Sequence, residues 1–239
     1  MKFDYLRLMQ EESRDLADFL AGLSDDEWNH PTLCTGWRVR EVVSHMAAGH
    51  TASLGSYLAL LARDGFSVDR ASDTLARHYA ANHGNQAILD AFRRGTAGKP
   101  KGPTALVPVA ELFTDHLIHH QDIRRPLGRP RVIPPERAAA ALASLSRLSG
   151  RVGSKARLRG VRVTADDVTF SHGHFGAEVR GPGEALIMAL CGRGAAAADL
   201  HGEGAELLRN RLRAEAAART RDYLQIFTGP AGSATGDRS

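Results

Sequence analysis

The spacing of apolar residues through the first half of the chain predicts helices. Between Phe3 and Leu23, Leu6, Met9, Leu16, Leu20 and Leu23 fall at near-helical intervals. Ser24-Asp25-Asp26 then supplies capping side chains and a break, and Pro31 to Gly36 reads as a loop. From Trp37 onward Val39, Val42, Val43 and Met46 follow the i, i+3, i+4, i+7 rule. That pattern predicts one long second helix closed by Gly65, which Gly49 and Gly55 weaken without ending. A third helix is expected from Ala71 to Phe92, carrying Leu75, Tyr79, Ile88 and Leu89. The Gly- and Pro-rich stretch from Gly95 to Pro103 is a loop. A fourth helix runs from about Pro108 to Arg124, with Leu112, Leu117 and Ile118 as apolar members, and Pro126-Leu127-Gly128 stops it. Four helices with short joins form an antiparallel bundle.

The pattern changes after Gly128. Pro130, Pro134 and Pro135 mark a linker, with Pro135 in the first turn of a helix through Leu148. Alternation then replaces the helical period. Ala156 to Val163 reads as a strand with one aliphatic and one basic face, Asp166-Asp167 as a turn, and Val168 to Phe170 and Gly176 to Arg180 as short strands. Gly181-Pro182-Gly183 opens a helix from Glu184 to Cys191, and a last helix spans Ala205 to about Phe227. The expected fold class is α+β: a helical bundle in 1–130, a small α+β domain in 131–228, and a flexible tail in 229–239.

Composition changes this picture little. The 239 residues are 43% hydrophobic and 24% charged, ordinary for a globular protein. The two cysteines, Cys34 and Cys191, are far apart, which fits a reducing cytoplasm and argues against a cysteine metal site. No basic-then-apolar leader and no membrane-length apolar run is evident, so a cytoplasmic protein with no membrane partner is expected. The net charge of +4 is spread along the chain, without the aromatic-interleaved basic patch that nucleic acid binding uses. No nucleic acid partner is expected.

The 11 histidines are the unusual count. Asp115, His119 and Asp122 are spaced i, i+4, i+7 on one face of the fourth helix, the face that also carries Leu112. Buried carboxylates and imidazoles are costly unless paired or bound to a metal. A catalytic metal typically has three protein ligands and an open position. His45, at the edge of the second helix's apolar stripe, is the best third candidate; His50 and His116 are less well placed, and His120 points about 100° round the helix. Spacing alone leaves alternatives open: a core or surface role for His45, and a helix-surface hydrogen bond for Asp115–His119. His172 and His174 share one side of a strand-like segment and suit either a metal or a polar turn. Cys34, just before the Trp37 helix, is placed where it could lie near the site and reads as a reduced structural thiol; Trp37 reads as a packing anchor.

Local motifs add a resemblance. Pro31-Thr-Leu-Cys-Thr-Gly36 followed by Trp37-Arg-Val-Arg-Glu-Val-Val-Ser-His45 resembles the second-helix motif of the mycothiol-dependent maleylpyruvate isomerase family, a branch of the DinB-like metal-binding bundles. His119-His-Gln-Asp-Ile-Arg-Arg-Pro-Leu-Gly128 resembles that family's fourth-helix motif, and Arg180 to Arg193 resembles part of its C-terminal domain. The resemblance runs from about Leu6 to Leu212. It implies a divalent metal, usually zinc, held by His45, Asp115 and His119. One departure is Asp115, where the family pattern has Glu; the shorter carboxylate can still ligate. Asp122 would orient a histidine ring, or cap or pair with Arg124 or Arg125.

The implied chemistry is that of mycothiol, a low-molecular-weight thiol whose pKa falls on binding a cation. The thiolate attacks an electrophilic small molecule, giving either a cis–trans isomer or an S-conjugate. Asp122 and Arg125 are the catalytic candidates beside the metal. Arg180 and Arg193 are candidates for binding anionic parts of mycothiol, since Arg suits carboxylates, although Arg193 at a helix end also complements a dipole. A monomer or homodimer is expected. Three alternatives remain: a metal-dependent hydrolase using metal-bound water, a non-catalytic protein that sequesters a small molecule, and, more remotely, a DNA-associated regulator.

Overall fold

The computed structural model describes residues 2–147 and 154–227. The expected tail over 229–239, and Leu148 at the end of its helix, lie outside the described residues.

Four helices build the bundle: α1 (Tyr5–Ala21), α3 (Val39–Thr51), α6 (Asn85–Thr96) and α7 (Val109–Arg124). Helix α1 packs on α7 and α6, and α3 packs on α6 and α7, closing the ring. A short helix α2 (Asp25–Trp28) follows α1, started by Ser24, whose side chain and Glu27 form a reciprocal capping box. One end of the bundle is filled by Leu16, Leu20, Val39, Val42, Val43, Ile88, Phe92 and Ile123, all fully buried or nearly so.

Two of the long expected helices are broken. The second stops at Thr51, because Ala52 and Ser53 are extended (ψ 149° and 141°) and Ser53 caps a new helix, α4 (Leu54–Arg63). Here a serine cap, and neither glycine, ends the run. The third is split into α5 (Val68–Asn82) and α6 by extended His83 and by Gly84. Helix α5 therefore lies outside the ring, against α3 and α4. The absence of a side chain at Gly95 lets α6 approach α3: a Cβ there would lie 2.7 Å from Cβ of His50.

Helix α8 (Pro135–Arg147) begins at proline, as the sequence predicts. The expected strand from Ala156 starts later. Residues Ser154–Arg157 form a helical turn, α9, because Arg157 is buried and donates to the carbonyl of Leu190 at 2.7 Å while pairing with Glu215. Strand β1 then spans Val161–Ala165, with Val161, Val163 and Ala165 facing inward. Of the residues expected as the second strand, Val168 and Thr169 lie in a bend and Phe170 is irregular, and β2 is only Ser171–His172. Strand β3 is Ala177–Gly181. The sheet order is β2-β1-β3, antiparallel for β1–β2 and parallel for β1–β3, with Val163 opposite Val179. Helix α10 (Gly183–Leu190) follows, its first N–H held by the Asp167 carboxylate at 2.7 Å, and α11 covers Ala205–Phe227. The architecture is α+β.

A second core cluster unites Leu8, Met9, Phe113 and Leu117 of the bundle with Leu142, Leu145, Val163, Val179, Leu186 and Leu208. Helix α7 sits between the bundle and α8 and α10, and nearly every residue from Leu112 to Ile123 is buried. Its polar side chains consequently need partners inside the molecule. Among the described residues no helix is long and apolar enough to cross a membrane.

Candidate active site

Helices α3 and α7 present His45, Asp115 and His119 to one another. His119 Nε2 lies 3.4 Å from Asp115 Oδ1, and His45 Nε2 lies 3.9 Å from Asp115 Oδ2. One donor atom from each of the three falls within 4.8 Å of the others. The His45 and His119 rings meet edge-on at 5.3 Å, and the Trp37 ring packs 5.3 Å from His45. Trp37 itself is held by its indole N–H donating to Asp73 at 2.6 Å.

The donor set suits a divalent cation. Bonds of roughly 2.0–2.1 Å at tetrahedral angles put neighbouring donors roughly 3.3–3.4 Å apart, a spacing met between Asp115 and His119 at 3.4 Å and exceeded between Asp115 and His45 at 3.9 Å. Burial, opposed by Asp115, depresses His45 to about 4, so its ring is neutral and a competent ligand. Burial also disfavours the cationic form of His119, yet the charge of Asp115 and the hydrogen bond that His119 makes to Asp122 outweigh it and raise the imidazole well above its ordinary value. A proton or a metal between His119 and Asp115 answers the same local negative charge. The Asp115 side chain is 42% exposed and that of His119 8%, which leaves one side of the group open.

Behind these three side chains lies a tightly bonded layer. His119 Nδ1 is 3.0 Å from Asp122 Oδ2, which turns Nε2 toward Asp115. This is the carboxylate–histidine arrangement that fixes a ligand's tautomer and raises its basicity. Asp122 is fully buried, and Arg193 grips it with two hydrogen bonds, Nε to Oδ1 at 2.9 Å and Nη2 to Oδ2 at 2.6 Å. Burial would raise the Asp122 carboxyl, but Arg193 and His119 hold it near 2. Cys34 completes the layer, its thiol donating to Asp122 at 3.1 Å and lying 3.5 Å from His119 Nδ1.

The remaining candidate arginines stand elsewhere. Arg125 pairs with Glu184 at 2.5 Å and Asp199 at 2.9 Å, tying α7 to the C-terminal half. Arg180 pairs with Asp166 at 2.7 Å on the outer side of the sheet. Of the four non-ligand positions singled out in the sequence, Asp122 and Arg193 join the site, with Arg193 as the partner of Asp122 in place of Arg124 or Arg125. Two histidines passed over as less well placed also lie here. His116 lines a cleft of about 260 Å³ that opens beside His45 and Asp115, and His50 packs its ring edge-on to His116 at 5.5 Å. The clue was present: His116 follows Asp115 on the same helix, at a position where α7 is buried on nearly all sides.

Residues 9–112 match the family model of the mycothiol maleylpyruvate isomerase N-terminal domain. The N-terminal bundle belongs to that family. The matched span includes His45 and ends just before Asp115. Two solved structures are similar over 84% of this chain and 92% of theirs: the mycothiol-dependent maleylpyruvate isomerase, at 14% identity with a TM-score of 0.55, and a histidine-to-alanine mutant of that enzyme, at 14% and 0.54. These two likenesses extend the shared fold beyond the family's N-terminal domain into the C-terminal half. No curated protein matches the chain.

Proposed function

We propose that the chain is a mycothiol-using enzyme that depends on a divalent metal, zinc by preference, held by His45, Asp115 and His119. The observation that carries this reading is the convergence of two imidazole Nε2 atoms and one carboxylate beside an open cleft, within a bundle of the mycothiol maleylpyruvate isomerase family. A divalent cation held there would supply Lewis-acid activation of a thiol, making thiolate available at neutral pH. The protein's own residues do the rest. Asp122 fixes the tautomer of His119, and Arg193 keeps Asp122 ionised and in place. His45 stays neutral under burial, and the exposed edge of Asp115 leaves the approach to the cleft open. The thiol adds to an electrophilic small molecule; rotation and loss of the same thiol give the cis–trans isomer, while a stable adduct or the displacement of a leaving group gives the S-conjugate. In this reading 1–130 forms the metal-binding unit, 131–228 the α+β unit that buttresses it, and the two free thiols suit the cytoplasm.

Elemental analysis of the purified protein beside a His119→Ala variant tests the proposal. About one metal per chain in the wild type, lost in the variant, is the expected result. A wild type that takes up no metal after zinc reconstitution would sink it and favour a ligand-sequestering protein.

A further inference from the structure

The two imidazoles beside Asp115 are held in different ways. His119 is fixed through its Nδ1 by the Asp122 carboxylate at 3.0 Å. No such partner stands behind His45, which makes no hydrogen bond among the described residues. Its ring nonetheless presents Nε2 to Asp115, 3.9 Å away, from a side chain that is 26% exposed. An unbonded imidazole at the edge of a cleft has several rotamers open to it, and ordering it on binding costs entropy. What restricts it here is an aromatic wall. The Trp37 ring lies 5.3 Å from the His45 ring, centroid to centroid, at an interplanar angle of 42°, and 6.5 Å from that of His119. A neighbouring ring limits the plane an imidazole can take without occupying either of its nitrogens, so Nε2 stays available to a cation.

The wall is anchored from outside the helical ring. Trp37 stands just before α3, at the end of a tight loop. Its N–H donates to the carbonyl of Cys34 at 2.9 Å, and its carbonyl accepts from the Thr32 N–H at 3.1 Å and the Thr32 hydroxyl at 2.9 Å. Gly36 turns the chain into the tryptophan with φ 77°, a left-handed value that favours glycine, and a Cβ there would stand 3.3 Å from Arg77 Nη2. The indole N–H donates to Asp73 Oδ1 at 2.6 Å. Arg77, one turn further along α5, donates from Nε to both oxygens of Asp73 at 2.9 Å, and from Nη2 to the carbonyl of Gly36 at 3.1 Å. Asp73 and Arg77 together therefore hold the side chain of Trp37 and the backbone that leads into it. Helix α5 comes close enough to do this because the residues it buries, Ala71, Ala76 and Ala80, are all small. The helix left outside the ring thus reaches the site through one tryptophan.

We infer that Trp37 is the positioning residue of His45, and that Asp73 and Arg77 of α5 set its ring. The inference rests on the proposed function for the metal that His45 would hold. It goes beyond the packing role that the sequence assigns to Trp37: an aromatic face does for His45 what the Asp122 carboxylate does for His119.

The test compares Trp37→Leu, Trp37→Phe and Asp73→Ala in the full chain. Two quantities are read: zinc affinity by chelator competition, and the rate at which diethyl pyrocarbonate modifies His45 in metal-free protein, located by peptide mass spectrometry. Trp37→Leu should weaken zinc binding about 10- to 100-fold, the loss that follows when a ligand's outer partner is removed. It should also speed modification of His45 severalfold while His119 keeps its rate. Trp37→Phe, which keeps a ring face, should return both readouts to within about three-fold of wild type. Asp73→Ala frees the indole without removing it, and should weaken zinc binding by roughly three- to ten-fold, as loss of one hydrogen bond allows. The Asp73 side chain is 45% exposed, so this variant reports even if Trp37→Leu fails to fold. Wild-type affinity and His45 reactivity in a folded Trp37→Leu, a Trp37→Phe no better than Trp37→Leu, or an Asp73→Ala unchanged in both readouts would each overturn the inference. A wild type that takes up no zinc would overturn the metal-dependent reading alone, and the reactivity of His45, measured without metal, would still decide the role of Trp37.

Discussion

His119 and His120 are neighbours on α7, yet they belong to two clusters with the same ingredients and opposite outcomes. His120 donates from Nδ1 to Glu12 at 2.7 Å and accepts at Nε2 from Arg124 at 2.8 Å. Glu12 is fully buried, and both its oxygens are taken, one by His120 and Arg131 and the other by Arg137 at 3.0 Å. Arg124 in turn covers the Phe19 ring at 3.9 Å. Among the described residues, no buried side-chain nitrogen or oxygen of this cluster lacks a hydrogen-bond partner. Around His119 the bonding is complete only on the inner side, through Asp122, Cys34 and Arg193. On the outer side the contacts to Asp115 are 3.4 and 3.9 Å, too long or too open to count as a closed network, and His45 makes no hydrogen bond among the described residues. A cluster of histidine, carboxylate and arginine is structural when nothing is left over. It is a candidate for chemistry when donor atoms face one another with capacity to spare.

The largest test of this contrast is Glu12→Ala. It should cost about 3–5 kcal/mol in urea unfolding, because three cationic or proton-donating groups lose a buried partner, while metal content per folded chain stays unchanged. A loss below 1 kcal/mol, by order of magnitude, would mean that the cluster is solvated rather than closed. Asp122→Asn probes the other side. Freed from its charged anchor, His119 should bind metal about 10- to 100-fold more weakly in a chelator competition, as loss of a ligand's outer partner does elsewhere. Unchanged affinity would remove Asp122 from the site.

Acidity separates the clusters by sign. Burial holds His120 and His50 at about 4 and His116 at about 3, below the unfolded value of 6.5. The unfolded chain then binds more protons, so stability is lost as pH falls below about 6.5 and continues to fall toward 4. Each histidine contributes a slope approaching about 1.4 kcal/mol per pH unit, and His120→Gln should remove about one such share. His119 runs the other way in metal-free protein: its raised value contributes stability that is complete below 6.5 and is lost as pH rises through the folded value. Histidine NMR titration of metal-free protein should find His119 cationic and His120 neutral at pH 6. The smallest effect is expected for Asp115→Glu, which lengthens one ligand by a methylene. Its metal affinity should change by less than about ten-fold, since both carboxylates ligate at similar bond lengths; loss of binding would show that the α7 backbone is set for the shorter side chain.

Much of this was legible from the chain. The i, i+4, i+7 spacing put Asp115, His119 and Asp122 on one helix face, and the alternation after Gly128 announced a small sheet. Periodicity failed where local caps decided the outcome: Ser53 ended a helix whose apolar pattern continued, and His83-Gly84 did the same. The first strand was placed too early because Arg157, which reads as an outward basic residue, is folded inward by Leu190 and Glu215. The link from Arg193 to Asp122 spans 71 positions, and no local pattern encodes a contact of that range.

The reach of Arg193 has a consequence for how this architecture can vary. The three candidate ligands belong to the bundle, but the carboxylate that aims one of them is held by a residue just beyond α10. A bundle expressed without its second half would keep every ligand and lose the setting of His119. Conversely, substitutions in the loop after α10 would shift the setting of His119 while the three candidate ligands and the cleft stay as they are. Through Arg193 and Asp122, the C-terminal half acts as an adjusting screw on one imidazole of the N-terminal half.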